Sequence, residues 1–145
     1  MKTFWCFLFL VFINAMLFGQ DWEANFDAAQ SKALQENKLL VVVFSGSDWC
    51  APCIKLDREV WQTATFIKVA KQHYVLYRAD FPRKKKHQLS EELQKKNSAL
   101  AAKYNPKGHF PLVLVLGNDD SVLGSIGYEK GGAQKYIDYL DAFLP

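Results

Sequence analysis

Leu39-Leu40-Val41-Val42-Val43-Phe44, followed by Ser45-Gly46-Ser47-Asp48-Trp49-Cys50-Ala51-Pro52-Cys53, is the stretch on which the reading of this chain turns. The apolar run is Val-rich and too short for a buried helix, so it reads as a strand covered on both faces and therefore central in its sheet. Ser45 to Trp49 is a loop. A helix follows from Cys50 or Ala51 to Trp61, with Pro52 tolerated because it falls in the first turn, where a missing N–H costs nothing. Cys50 and Cys53 thus stand where a strand hands over to a helix. A helix N-terminus presents unpaired N–H groups and a partial positive charge, which stabilise a thiolate and lower the pKa of the cysteine placed there, Cys50. Cys53 comes round one turn later, within reach of a mixed disulfide formed at Cys50. One sulfur attacks and the other resolves.

Outward from this junction the elements alternate. Before it, Trp22, Phe26, Ala29, Ala33 and Leu34 recur at helical spacing between Asp21 and Asn37, with Asp21 as the cap. After it, Thr63 or Thr65 caps a shorter helix to Gln72, and Tyr74 to Asp80 reads as a second strand. A polar stretch from Phe81 to Ser90 leads to a helix over Ser90 to Lys103, ended by Asn105, Pro106 and Gly108. Leu112 to Leu116 and Ser121 to Gly127 flank the turn Gly117-Asn118-Asp119-Asp120 as an antiparallel hairpin, and Gly131 to Phe143 closes the chain as a helix. The order α-β-α-β-α-β-β-α is that of an α/β sandwich whose first two strands run parallel through a right-handed crossover. Trp61, Phe66 and Tyr77 are assigned to the core.

The N-terminus is of another kind. Lys2 precedes Phe4 to Phe18, an apolar run of 15 residues broken only by Asn14. As a helix it covers roughly 22 Å at about 1.5 Å per residue, short of a hydrocarbon core of roughly 30 Å. Residues 1–19 are therefore expected to be an export signal ending near Gly19, rather than an uncleaved anchor, and the protein is expected to be periplasmic or secreted, off the membrane once the signal is cleaved. Removing them takes away Cys6, one Lys and no acid, and lowers the formal charge from +3 to +2. Cys50 and Cys53 remain as the sole cysteines of a domain expected over residues 20–145, in a compartment where thiols are commonly oxidised. A disulfide closing so small a ring adds little to stability, so a structural staple is the weaker reading.

Half of the 145 residues are hydrophobic and 23% are charged, which excludes a disordered polymer and calls for a packed core. A net charge of +3, mixed in sign along the chain, argues against a nucleic-acid partner. No repeat, low-complexity tract or Gly/Ser linker divides the chain, so one domain is expected.

Phe44 with residues 45–53, Asp80 at the end of the second strand, and Lys103-Tyr104 leading to Phe110-Pro111 resemble the thioredoxin superfamily over nearly all of the mature chain. The Trp-Cys-x-Pro-Cys string between strand and helix makes this resemblance specific, where a bare Cys-x-x-Cys would not. It implies a thioredoxin-like fold, a central mixed sheet of about four strands flanked by helices. It implies thiol-disulfide exchange at Cys50 with resolution by Cys53, no cofactor and no metal, a monomer, client proteins bearing thiols or disulfides, and an unidentified redox partner. Pro111 is carried over as a cis-proline facing the disulfide, and the backbone of Phe110 as the place where an extended substrate strand docks. Trp49 and Pro52 complete the substrate-binding set, Trp49 by shielding the sulfurs and offering apolar contact. Ala-Pro between the cysteines is nearer the family's reducing Gly-Pro than the His-containing pairs of its oxidants and isomerases, which favours a reductase or isomerase over an oxidant.

The chain departs from the family pattern in three places. Val41 to Phe44 offer no buried acid beneath the second cysteine, Phe110 is large where the family often has a small or β-branched residue, and Phe81 to Asn97 is longer than a minimal member needs. That last stretch, with Arg83, Lys84, Lys85, Lys86, Lys95 and Lys96, is closer to the exported thioredoxin-like proteins. Arg83 to His87 either meets an acidic partner or is a solvated loop. His109 either favours the thiolate from the facing loop or is an exposed loop residue; His73 and His87 read as surface, and Asp48 as a loop-shaping residue. Two other classes compete with the enzyme: a thioredoxin-fold binding module, and a metal-binding module that would need ligands beyond two cysteines.

Overall fold

The computed structural model describes residues 19–145, so the expected signal, apart from Gly19, lies outside the described residues. The first helix, α1 (Phe26–Glu36), is capped by Asn25, whose side chain accepts the Ala28 N–H, and it stops at Asn37 in the left-handed conformation. It therefore starts later than Asp21. Tertiary contacts hold the residues before it extended: Trp22 forms a parallel bridge to Leu76 and Glu23 N–H donates to Leu76 O at 2.9 Å. Leu34, part of the helical apolar stripe in the sequence, is 63% exposed.

Strand β1 (Leu39–Ser45) is buried throughout, as a solid Val-rich run requires. It leads to α2 (Ala51–Leu56), which Cys50 caps. Residues Asp57–Trp61, expected to continue that helix, form a π-helical turn instead, with Gln62 N–H donating to Asp57 O at 2.9 Å. The wider turn lets the consecutive residues Val60 and Trp61 both face the core while Asp57 reaches Arg78 and Glu59 accepts the Tyr128 hydroxyl. Thr63 caps α3 (Ala64–His73), β2 (Tyr74–Asp80) follows, and Lys85–His87 make a short 3-10 turn. Ser90 caps α4 (Glu91–Tyr104), then come β3 (Leu112–Leu116), β4 (Val122–Ile126) and α5 (Gly132–Asp141).

The sheet order is β2-β1-β3-β4. Strand β1 runs parallel to β2, from Leu39 opposite Tyr74 to Ser45 opposite Asp80, and antiparallel to β3, with Phe44 opposite Leu112. The fold is thus the four-stranded mixed sheet flanked by helices that the sequence implied. Alternation along β1 sends Leu39, Val41 and Val43 to one face and Leu40, Val42 and Phe44 to the other. The first set packs with Leu56, Val60, Trp61, Phe66, Tyr136 and Leu140. The second packs with Ala29 and Ala33 of α1, Tyr77 and Leu114, bordered by Leu100 and Tyr104 of α4. Trp61 centres the first cluster, its ring edge-on to Phe66, Tyr136 and Trp22 at centroid distances of 4.8, 5.7 and 6.1 Å.

Strand β4 is an edge. The Tyr139 hydroxyl donates to Ser125 O at 2.8 Å, and the Phe143 ring lies on Gly124, where an added Cβ would come within 2.4 Å of it.

Candidate active site

The register decides where chemistry is possible. With Ser45 opposite Asp80 and Phe44 opposite Leu112, the ends of β1 and β2 and the start of β3 share one edge of the sheet. The loops beyond them, residues 46–50, 81–87 and 105–111, are therefore neighbours, past the carboxyl ends of the parallel pair β1 and β2, the end at which α/β folds take ligands.

The first loop turns tightly, with Trp49 N–H and Cys50 N–H both donating to Gly46 O, at 3.2 and 2.9 Å. The Trp49 indole lies flat on Gly46: an added Cβ there would stand 2.3 Å from the ring, so only glycine fits. Ser47 is tied to the end of β2, its N–H and hydroxyl both donating to the Asp80 carboxylate. Cys50 and Cys53 are joined as a disulfide, with Cα atoms 5.2 Å apart. Both are buried, at 5% and 3% exposure, beside the exposed Ala51, Pro52 and Ile54. The Cys53 N–H donates to the Cys50 sulfur at 3.3 Å, which makes that sulfur the side-chain cap of α2.

The third loop brings the remaining expected residues. The Phe110–Pro111 bond is cis and Pro111 is buried. The Phe110 ring meets Trp49 edge-on at 5.6 Å and Phe81 at 5.5 Å, so all three loops are stitched by aromatic contacts. The His109 side chain is exposed, and its backbone is held by the buried Asn105, which donates to His109 O at 2.8 Å and accepts His109 N–H at 2.9 Å.

Sequence reasoning missed how firmly the second loop is bound to the first. The Asp48 side chain, 4% exposed, accepts the N–H groups of Arg83 and Lys84 at 2.9 and 3.0 Å and faces His87 Nδ1 at 2.9 Å. These bonds, the Arg83 N–H foremost, hold its carboxyl down at about 2. Trp49 Nε1 donates to Phe81 O at 2.7 Å, and the Arg83 guanidinium stands 3.7 Å from the centroid of the Trp49 ring. His87 is exposed, as the sequence suggested, yet it belongs to this network. An Asp in a Ser/Gly loop, prone to capture backbone N–H groups, was the one available signal. No group of three or more His, Cys, Asp or Glu among the described residues is arranged to hold a metal ion.

A Thioredoxin-like family profile matches residues 21–117. Disulfide bond reductase DsbH of Chlamydia pneumoniae is 33% identical over 123 residues, which are 85% of this chain and 72% of that protein. Thioredoxin-related protein DsbJ of the same organism is 30% identical over 114 residues, 76% of this chain but 32% of that longer protein. The solved structure of a DsbH oxidoreductase superposes with a TM-score of 0.79 at 30% identity, covering 87% of this chain and 85% of that one. A disulphide isomerase from Xylella fastidiosa Temecula1, at 16% identity and a TM-score of 0.59 over 82% of this chain and 88% of its own, shares the fold. With a profile running from the segment before α1 to the end of β3, and a relative one third identical over most of both chains, this chain belongs to the thioredoxin-like family, among the thiol-disulfide oxidoreductases of the thioredoxin superfamily.

Proposed function

We propose that this protein reduces or isomerises disulfides of client proteins outside the cytosol, with Cys50 as nucleophile and Cys53 as resolving thiol. The observation that carries the reading is the cap: the Cys50 sulfur accepts the Cys53 N–H at the start of α2, the contact that favours a thiolate on Cys50 once the pair is reduced. The Cys50 thiolate attacks one sulfur of a client disulfide, a Cys50–client disulfide forms, and the other client sulfur leaves as a thiolate that takes up a proton. Cys53, deprotonated, then attacks the Cys50 sulfur, the second client thiolate leaves, and Cys50–Cys53 becomes the disulfide. Two electrons pass to the client, and a dithiol donor must return them before the next turnover.

Trp49, Pro52 and the backbone of Phe110 are proposed to receive the client strand, with Pro111 setting the course of that backbone beside the cap. The direction draws on the reductase name of the DsbH relative and on Ala-Pro between the cysteines. Export rests on residues 1–19, whose cleavage near Gly19 would leave residues 20–145 as the working domain. Equilibration of the Cys50–Cys53 pair against glutathione tests the direction. A potential near the about −270 mV of a reducing thioredoxin is expected, and one near the about −120 mV of a strong oxidant would overturn it.

A further inference from the structure

Arg83, Lys84, Lys85 and Lys86 form an exposed run of four cations on the loop next to the disulfide. A charged loop free in solvent would mean little. This one is fixed. The Asp48 carboxylate grips the backbone of Arg83 and Lys84 and meets the His87 ring, Phe81 O accepts the Trp49 indole N–H, and the Arg83 guanidinium covers the Trp49 ring. Because Asp48 takes backbone N–H groups, it neutralises no cationic head, and among the described residues none of the four pairs with a carboxylate. The acid before them, Asp80, is occupied by Ser47. The result is a fixed positive rim two residues from Cys50 through Asp48 and one through Trp49.

We propose that this rim is a specificity element: Arg83 to Lys86 select client segments that carry acidic residues beside the cysteine under attack. The proposal rests on the function proposed above, since it assigns a substrate class to the same site. A rim charge acts chiefly by steering the encounter and by excluding like-charged partners, so the effect belongs in kcat/KM and is salt-sensitive. Trp49 is both the apolar platform beside the sulfurs and the surface on which Arg83 stacks, so a client strand lying along Trp49 passes the guanidinium.

The test uses peptides of equal length closed by a disulfide whose cysteines are flanked by Glu, Gln or Lys, with bis(2-hydroxyethyl) disulfide as a neutral reference. For the parent at low salt, kcat/KM for the Glu peptide should exceed that for the Lys peptide by about tenfold, and the ratio should approach one at 1 M salt, where the screening length is about 3 Å. The Lys84→Gln/Lys85→Gln/Lys86→Gln variant should lose most of the ratio while its rate with the neutral reference stays near the parent's. Equal rates with all three peptides in the parent, or a ratio unchanged in the variant, would overturn the proposal. A parent that turns over no disulfide at all would instead sink the proposed function. The rim is then judged by backbone amide shifts of Lys84 to Lys86 in a Cys50→Ser/Cys53→Ser variant titrated with linear Glu and Lys peptides. Shifts with the Glu peptide alone support it, and none with either peptide overturns it.

Discussion

Replacing Val43 by Asp asks what the sheet beneath α2 tolerates, and the structure allows the cost to be worked out. Val43 is 1% exposed and lies on the face that packs with Leu56, Val60 and Trp61, the side on which α2 continues into its π-helical turn. Phe44 points to the opposite cluster, which is why position 43 is the one to change. Losing the buried valine costs about 1.5–3 kcal/mol, and a neutral carboxyl without a partner adds about 1–3 kcal/mol. Burial disfavours the charged form, so the introduced carboxyl has a raised pKa in the folded state. It binds its proton more tightly folded than unfolded. Stability of the variant relative to the parent therefore falls further as pH rises above the unfolded value of about 3.9, by about 1.4 kcal/mol per pH unit until the folded pKa is passed. Urea unfolding at pH 4, 5 and 6, with Val43→Asn as the neutral control, reads both parts. The parent's exchange rate should follow one ionisation, that of Cys50, and the variant should gain a second limb. The neighbour in register on β2 is Arg78, whose guanidinium is engaged with Asp57 but whose Nε is buried without an acceptor. A cost below about 1 kcal/mol that does not change with pH would mean that Arg78 or water receives the carboxylate, and the reasoning would be refuted.

Other expectations follow from the same geometry. In the reduced protein, iodoacetamide should modify Cys50 faster than Cys53 near neutral pH, and Cys53→Ser should accumulate mixed disulfides that Cys50→Ser does not; equal trapping would count against two steps. Asp48 is held at about 2 against an ordinary 3.8, so it stabilises the fold above that ordinary value and the contribution disappears as pH falls through about 2. Asp48→Asn should accordingly flatten the loss of urea resistance between pH 4 and 2, and a slope equal to the parent's would contradict the assignment. Asn105→Ala removes two bonds that clamp His109 and should cost about 1–3 kcal/mol, speed amide exchange at His109 and Phe110, and leave Cys50 alkylation unchanged. Slow exchange persisting at both amides would show that the clamp is dispensable.

The core of the fold was legible because β1 and β3 are short apolar runs rich in Val and Leu, and β2 is a short Tyr/Val/Leu segment between a helix end and a polar stretch, so length leaves little choice. The Cys50–Cys53 junction was legible for a local reason too: Pro52 and the strand before it fix the start of the helix. What the sequence concealed is non-local. Trp22 sits at perfect helical spacing from Phe26, yet a bridge to Leu76, far along the chain, claims it for the sheet edge. Leu34 continues the apolar stripe of Ala29 and Ala33, yet it is exposed where they are buried. The π-helical turn answers to the joint burial of Val60 and Trp61 and to Asp57 meeting Arg78, which periodicity alone does not record. The grip of Asp48 on Arg83, Lys84 and His87 joins two loops brought together by parallel pairing of β1 and β2, so no window of sequence contains both partners.

Strand β4 has its own bearing on self-association. Val122 and Leu123 are exposed on a strand that, among the described residues, is paired on one side alone, the arrangement that recruits a second chain into a continuous sheet. The Tyr139 hydroxyl takes up Ser125 O, and the Phe143 ring covers the face of the strand at Gly124. Both side chains come from α5 and the residues just after it, a helix anchored to the core through Tyr136, Ile137 and Leu140. Loosening α5 would remove these contacts together with part of the core around Trp61, so the strand would be bared only at the expense of the packing that holds the sheet.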